Sequence, residues 1–278
     1  MSEAPVVLLP GFWHGSWCWS EVAAELATFG RFAVAVELAG HGLRARRPAA
    51  ALARPFDPAA FATEPSPVSS ITLDGAAELL VSQLKHLGGG LPCVLVAHSM
   101  GGAVASRAIE LAPDLVEQVV YVAAFMPASG VPAVDYLGQP ENAGDLLPTL
   151  LRADPAAIGA LRLDTGSDDP DYRALLRRAF YNDVDTATAE AAVNLLNTDA
   201  PAGICAEATE LTSTWGSVRR TYVHCLRDNV VRPALQRRFI AEADAAFPAN
   251  PTTVAELDSS HSPMLSMPER LARIIVEV

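Results

Sequence analysis

The chain has 278 residues, half of them hydrophobic and 19% charged, which is enough apolar material for a large core and an ordinary length for an α/β fold carrying an inserted segment. Its formal net charge of −12 argues against a nucleic-acid binder, which would show a basic face. No apolar run reaches the ~18 residues that span a bilayer, so no membrane partner is expected. Residues 1–5 have no basic region and the apolar stretch 6–9 is too short for a signal peptide, so a cytoplasmic protein is expected. Cys18, Cys93, Cys205 and Cys225 form no Cys-x-x-Cys pair and no zinc-spaced cluster with histidine. Buried free thiols are expected, with no metal and no disulfide framework.

In chain order, the apolar run 5–9 reads as a strand buried on both faces. Residues 17–29 have helical spacing, with Val22, Leu26 and Phe29 on one stripe and Gly30 as the stop. Residues 32–38 read as a second strand. The proline-rich stretch 44–70 is a long loop with a short helix near 58–61, and loops of this length are functional or mobile. It carries Arg44, Arg46, Arg47 and Arg54, which either face solvent or meet an anionic substrate. An amphipathic helix (71–87) ends at Gly88-Gly89-Gly90, followed by a strand (92–97), a helix (100–111) and a strand (116–124). This alternation implies a parallel sheet with helices on both faces. Residues 127–215 contain no convincing strand. They open one helix at Asp169-Pro170, an N-cap followed by proline, and a second at 186–196, and read as an all-helical lid. Strand 220–226, helix 233–243, strand 252–257 and helix 268–278 complete the core. The domains are therefore a core of 1–126 and 216–278 and a lid of 127–215.

The stretch Ala97-His98-Ser99-Met100-Gly101-Gly102 joins a strand directly to a helix. A serine on so tight a turn takes a strained backbone and projects its hydroxyl from the sheet edge. The positions two before and two after it must be small, as Ala97 and Gly101 are, and Gly102 lets the helix approach the sheet. The helix N-terminus adds free N–H groups and a positive dipole end beside the serine. His98 reads as structural, directed away from the nucleophile. The first strand ends in Leu9-Pro10-Gly11-Phe12-Trp13-His14-Gly15, a turn able to aim the Phe12 N–H at the same point as the Met100 N–H, giving the two donors of an oxyanion hole. The bland alternative is a plain turn with Trp13 and Trp17 in the core. His14 reads as a loop residue holding that turn.

A serine hydroxyl needs a base within hydrogen-bond reach. Of the six histidines, His261 falls in a loop after the last strand, where this topology returns the chain to the active edge. The acid belongs after the preceding strand, where Asp228 stands, and a carboxylate there fixes the imidazole tautomer. Asp258 is the competitor and reads as a turn cap.

Together, Gly11-Phe12-Trp13-His14-Gly15-Ser16-Trp17-Cys18-Trp19, Ala97 to Gly102, Arg227-Asp228 and His261-Ser262-Pro263-Met264-Leu265-Ser266 resemble the plant methylesterase and hydroxynitrile lyase group and bacterial pyrethroid-hydrolase-like carboxylesterases. The resemblance implies an α/β-hydrolase fold, a mostly parallel sheet of about six strands flanked by helices with a helical lid over an apolar pocket. It implies a cofactor-free enzyme with the triad Ser99, Asp228 and His261 and oxyanion donors on Phe12 and Met100. Gly11, Trp13 and Phe125 are expected at the substrate. The lyases carry threonine in the oxyanion loop and lysine after the catalytic histidine; here those places hold Gly11 and Ser262, which favours the esterases. Pro10 departs from the group's usual histidine and removes a backbone donor. The expected activity is hydrolysis of a small, aryl or methyl carboxylic ester through an acyl-enzyme, by a monomer or homodimer whose partner is the small-molecule ester. The rival readings are a lyase or tailoring enzyme on the same triad, and a ligand receptor that retains the triad.

Overall fold

The strands are β1 (Val6–Leu9), β2 (Ala33–Ala35), β3 (Cys93–His98), β4 (Val116–Val122), β5 (Ala160–Arg162), β6 (Asp199–Pro201), β7 (Arg219–Cys225) and β8 (Thr253–Leu257), the first three of them short apolar runs. The structure, a computed structural model, describes residues 4–278; part of the segment read for a leader therefore lies outside the described residues. Six strands form one parallel sheet in the order β2-β1-β3-β4-β7-β8. The strand period of two is visible in the core. Val6 and Leu8 of β1 pack on one side of the sheet with Val94 and Val96, while Val7 and Leu9 pack on the other with Leu95 and Ala97.

The main helices are α1 (Ser20–Thr28), α2 (Leu73–Gly88), α3 (Gly101–Leu111), α4 (Pro170–Phe180), α5 (Thr186–Leu195), α6 (Pro233–Ala246) and α7 (Pro268–Glu277). Val22 and Leu26 of α1 and Leu271, Ala272 and Ile275 of α7 cover the Val6 side. α2, α3 and α6 cover the Val7 side through Leu80, Val104 and Phe239 among others. The chain runs from β1 outward to β2 and then returns to β3 on the other flank of β1. Strand order reverses there, and in open parallel sheets ligands gather beyond the carboxyl ends of the strands at such a point.

The structure departs from the sequence reading in three places. First, β2 covers only Ala33–Ala35, not 32–38. The ladder runs through Val6 N to the Phe32 carbonyl and Val36 N to the Leu8 carbonyl. The next donor along β1 would be residue 10, and Pro10 has no N–H to give. Second, 17–29 is a 3₁₀ turn, Ser16–Trp19, leading into α1. Third, the inserted segment is not all helical, because β5 and β6 pair antiparallel as a small second sheet. These strands are three residues each and place Arg162 opposite Asp199, so length and polarity hid them.

That pair ties the insertion to the long loop. Arg162 is fully buried and donates Nε and Nη2 to the two carboxylate oxygens of Asp199, each at 2.7 Å. Its Nη1 donates to the carbonyls of Phe61 and Glu64 in the 44–70 loop. Ser66 N reaches the Ile158 carbonyl at 2.9 Å. The loop is therefore clamped, and it contains two short helices, Ala49–Leu52 and Pro58–Thr63, the second capped by Asp57. Truncating one member of a buried ion pair leaves the other uncompensated. Arg162→Met should lower the free energy of unfolding by about 3–5 kcal/mol, and Arg162→Met with Asp199→Leu should recover much of that. Urea denaturation measures both, and an Arg162→Met protein as stable as the parent would contradict this account.

Candidate active site

Four loops at the carboxyl ends of β1, β3, β7 and β8 supply the side chains of the site. Ser99 follows β3 with φ of 52°, in the left-handed region that non-glycine residues avoid. Strain of this kind persists only where the surroundings over-determine it. Here Ser99 N donates to the Val122 carbonyl at 3.2 Å, while the Ser99 carbonyl accepts from Gly102 N at 3.0 Å and Phe125 N at 2.9 Å. Three glycines make room for the turn. A Cβ on Gly11 would stand 2.4 Å from Ser99 Cβ, one on Gly101 2.7 Å from the Pro10 carbonyl oxygen, and one on Gly102 2.3 Å from the Phe125 carbonyl oxygen.

His261 and Asp228 arrive from the loops after β8 and β7. His261 Nε2 lies 3.0 Å from Ser99 Oγ, and its Nδ1 lies 2.8 Å from Asp228 Oδ2. An ionised carboxylate only accepts, so Nδ1 carries the proton and Nε2 presents its lone pair to the serine hydroxyl. Asp228 is fully buried. Its Oδ1 accepts the N–H groups of Val230 and Val231 at 2.7 and 2.9 Å, and its Oδ2 also accepts from Gln236 Nε2 at 3.2 Å. The carboxylate is thus locked by backbone on one oxygen and shared by His261 and Gln236 on the other. Asp258 takes no part. It is exposed and pairs with Arg227 instead of capping the turn.

The Phe12 and Met100 N–H groups, the expected oxyanion donors, take no protein acceptor among the described hydrogen bonds. Met100 is the residue that caps α3, so its N–H belongs to the positive end of that helix, where backbone donors have no intrahelical partner. The Phe12 loop turns through Trp13, whose φ is 62°. Trp13 and Phe125 are both buried: Trp13 packs edge-on to Phe12 and against Phe180, and Phe125 packs against Phe239.

Three further histidines surround the site. His14 Nδ1 donates to the Phe12 carbonyl at 2.9 Å, holding the turn. His41 Nδ1 donates to the Ala39 carbonyl, and its ring stacks on Phe12 with centroids 5.6 Å apart. His98 does not stand apart from the site. Its Nε2 donates to the His261 carbonyl at 2.8 Å and its ring lies 4.6 Å from the His261 ring. The turn aims it along β3 toward the neighbouring loop after β8, so it braces His261 from behind.

Sequence reasoning missed Gln236, Tyr181 and Phe180. Gln236 is a fully buried amide on α6, on the stripe of Leu235, Phe239 and Ala243. A polar residue on an otherwise apolar buried stripe was the available signal. Phe180 ends α4 with its ring 6.1 Å from the His261 ring. Tyr181 follows it and contacts His14. Ser99 is 6% exposed under this cover. A cavity of about 670 Å³ lies elsewhere, between the 44–70 loop and the insertion, lined by Arg47, Arg54 and Phe56 on one side and Asp164 and Asp168 on the other. Arg47 and Arg54 therefore face carboxylates across a cleft that does not include the candidate nucleophile.

Comparison with known proteins agrees with this architecture. The Alpha/beta hydrolase family matches residues 6–274, and the chain belongs to that family. Among curated proteins it is similar to Methylesterase 7 of Arabidopsis thaliana, 29% identical over 281 residues covering 100% of this chain and 96% of the relative. It is also similar to Methyl jasmonate esterase 1 of Vitis vinifera, 26% identical over 99% of this chain and 97% of the relative. Among solved structures, a pyrethroid hydrolase from Sphingobium faniae JZ-2 superposes with a TM-score of 0.76 at 22% identity, covering 99% of this chain and 96% of that one. Polyneuridine aldehyde esterase superposes with a TM-score of 0.74 at 19% identity, covering 99% of each. These two superpositions bear on the fold. No helix among the described residues is long and apolar enough to cross a membrane.

Burial holds His14 down at about 3, His41 at about 4 and His98 well below its ordinary value. All three are neutral in the folded state near pH 7. Unfolded histidines titrate near 6.5, so below that value the unfolded chain takes up protons that the folded chain refuses. The stabilisation is complete above 6.5 and declines as the pH falls toward the folded values. Each group contributes roughly 1 kcal/mol per pH unit in that window. Unfolding free energies in urea should therefore drop steeply between pH 7 and 5, and a flat profile over that range would refute neutral burial of these rings.

Proposed function

We propose that the chain is a serine carboxylesterase that cleaves small, aryl or methyl esters through an acyl-enzyme. The observation that carries this reading is the buried hydrogen-bonded line from Asp228 through His261 to Ser99, set beside two N–H groups that no protein acceptor occupies. Ser99 Oγ attacks the ester carbonyl carbon while His261 Nε2 takes its proton. Asp228 stabilises the resulting imidazolium, and the carbonyl oxygen, now an oxyanion, accepts from Phe12 and Met100 N–H. The tetrahedral intermediate collapses as the C–O bond to the alcohol breaks and His261 returns the proton to the leaving oxygen. Water then attacks the acyl-serine with His261 again as base, releasing the acid and restoring Ser99.

Gly11, Trp13 and Phe125 form the walls nearest the reacting carbon in this reading: Gly11 leaves the space over Ser99, and the two rings set the apolar surroundings. The names of the curated relatives, methylesterases and a methyl jasmonate esterase, support a methyl ester as one class of substrate. The chemistry asks for no cofactor. The four buried, unpaired thiols fit a reducing compartment and so a cytoplasmic location.

Ser99→Ala should lower turnover of p-nitrophenyl acetate by about 10⁴–10⁶-fold without unfolding the chain. A panel of aryl esters graded from methyl to butyl then ranks alcohol and acyl size. Turnover by Ser99→Ala near the parent rate refutes the assignment. A parent protein that binds such esters without hydrolysing them favours a receptor, and one that cleaves cyanohydrins in preference favours a lyase.

A further inference from the structure

The oxyanion loop is held from the side of the inserted segment. Trp13 Nε1 donates to the Leu161 carbonyl of β5 at 3.1 Å, and Asn197 N donates to the Trp13 carbonyl at 2.8 Å. The third tie runs between side chains: the Tyr181 hydroxyl, just past the end of α4, lies 2.9 Å from His14 Nε2. The opposite nitrogen of that ring, Nδ1, lies 2.9 Å from the Phe12 carbonyl. Tyr181 and His14 are each 1% exposed. A carbonyl only accepts, so His14 Nδ1 carries the proton, Nε2 is bare, and Tyr181 O–H is the donor to it. Burial keeps His14 neutral and pushes the Tyr181 phenol well above its ordinary value, so this order of protons holds across the working range.

A line of hydrogen bonds therefore runs from the insertion through an imidazole to the Phe12 carbonyl, one peptide unit beyond the Phe12 N–H that is a donor of the proposed oxyanion hole. The turn it holds is strained at Trp13, with φ of 62°, and a strained turn relaxes when a tie is cut. The ties from Leu161 and Asn197 use backbone groups of the insertion, so Tyr181 is the tie that a side-chain atom of the insertion supplies.

We propose that Tyr181 is a positioning residue: through His14 its hydroxyl holds the Phe12 carbonyl, and with it the backbone of that residue, so that the Phe12 N–H on the preceding peptide unit meets the developing oxyanion. This inference rests on the esterase reading above. The Tyr181 hydroxyl is turned to His14, so its contribution falls on the transition state and leaves binding of the intact ester alone.

The test uses the full chain with p-nitrophenyl acetate as substrate and an aryl trifluoromethyl ketone, which adds a serine to form an oxyanion, as inhibitor. Tyr181→Phe removes one oxygen atom. His14→Asn keeps a donor within reach of the Phe12 carbonyl and removes the acceptor for Tyr181. Each variant should lose about 10–100-fold in kcat, with KM within about twofold and ketone affinity falling in step with kcat/KM. The double variant should be no worse than either single one, because both cut the same line. A Tyr181→Phe protein that melts lower yet keeps kcat and ketone affinity within about twofold overturns the proposal, as do losses that multiply in the double variant. Should Tyr181→Phe fail to fold, the kcat-against-KM split in His14→Asn decides by itself. A parent protein with no Ser99-dependent turnover sinks the esterase reading and this inference together. Ser99-dependent turnover with an unaffected Tyr181→Phe sinks this inference alone.

Discussion

The backbone of Ser99 is held in the left-handed region by its neighbours on two sides, and the rest of the site is arranged around that constraint. β4 supplies the acceptor for the Ser99 amide, and the segment after it supplies the Phe125 donor for the Ser99 carbonyl. A methyl group on Gly11 would collide with Ser99 itself, and one on Gly102 with the Phe125 carbonyl of the segment that holds the turn. Once the hydroxyl is fixed above the sheet edge, the loops after β7 and β8 need only converge on it. They do so through a carboxylate whose far oxygen is saturated by two backbone N–H groups. Geometry and electrostatics support one another here: the groups that hold Asp228 still are the groups that satisfy a charge with no access to water.

Much of the core was legible in the sequence because strands buried on both faces leave continuous apolar runs, and helices between them leave a different period. The positions of Ser99, Asp228 and His261 were legible for a topological reason. Each lies just beyond a predicted strand, and the carboxyl ends of parallel strands share one edge. The length of β2 was not legible, because it depends on Pro10 just past the end of the neighbouring β1, a partner that no local pattern names. β5 and β6 were hidden by their three-residue length and by Arg162 and Asp199, which read as surface charge until they are seen paired. Gln236 and Tyr181 escaped because their meaning lies in what they touch across the fold. His98 was read as structural and directed away from the nucleophile, and its partner, the His261 carbonyl, lies too far along the chain for any local pattern to name.

The neutral histidines bear on the chemistry in a way the geometry alone does not convey. His14 and His98 lie close to His261, His98 with its ring in contact, and both would repel a charge arising there. Burial keeps them uncharged, so an imidazolium formed in the proposed attack would meet one carboxylate and no charged histidine beside it. Phe180 and Tyr181 pack on His14, Trp19 on His98 and Phe180 on His261, and this aromatic cover, by excluding water, strengthens any attraction between Asp228 and a charge on His261.

The Arg162 clamp has a consequence for how such a protein diversifies. Its guanidinium gathers a carboxylate from β6 and two carbonyls from the 44–70 loop, segments separated by about half the chain. An insertion borrowed from a relative, grafted without its matching loop, would strand those carbonyls and bury an unmatched charge. The heritable module is therefore discontinuous: loop and insertion have to be exchanged together, and any lineage that remodels one inherits pressure to rewrite the other.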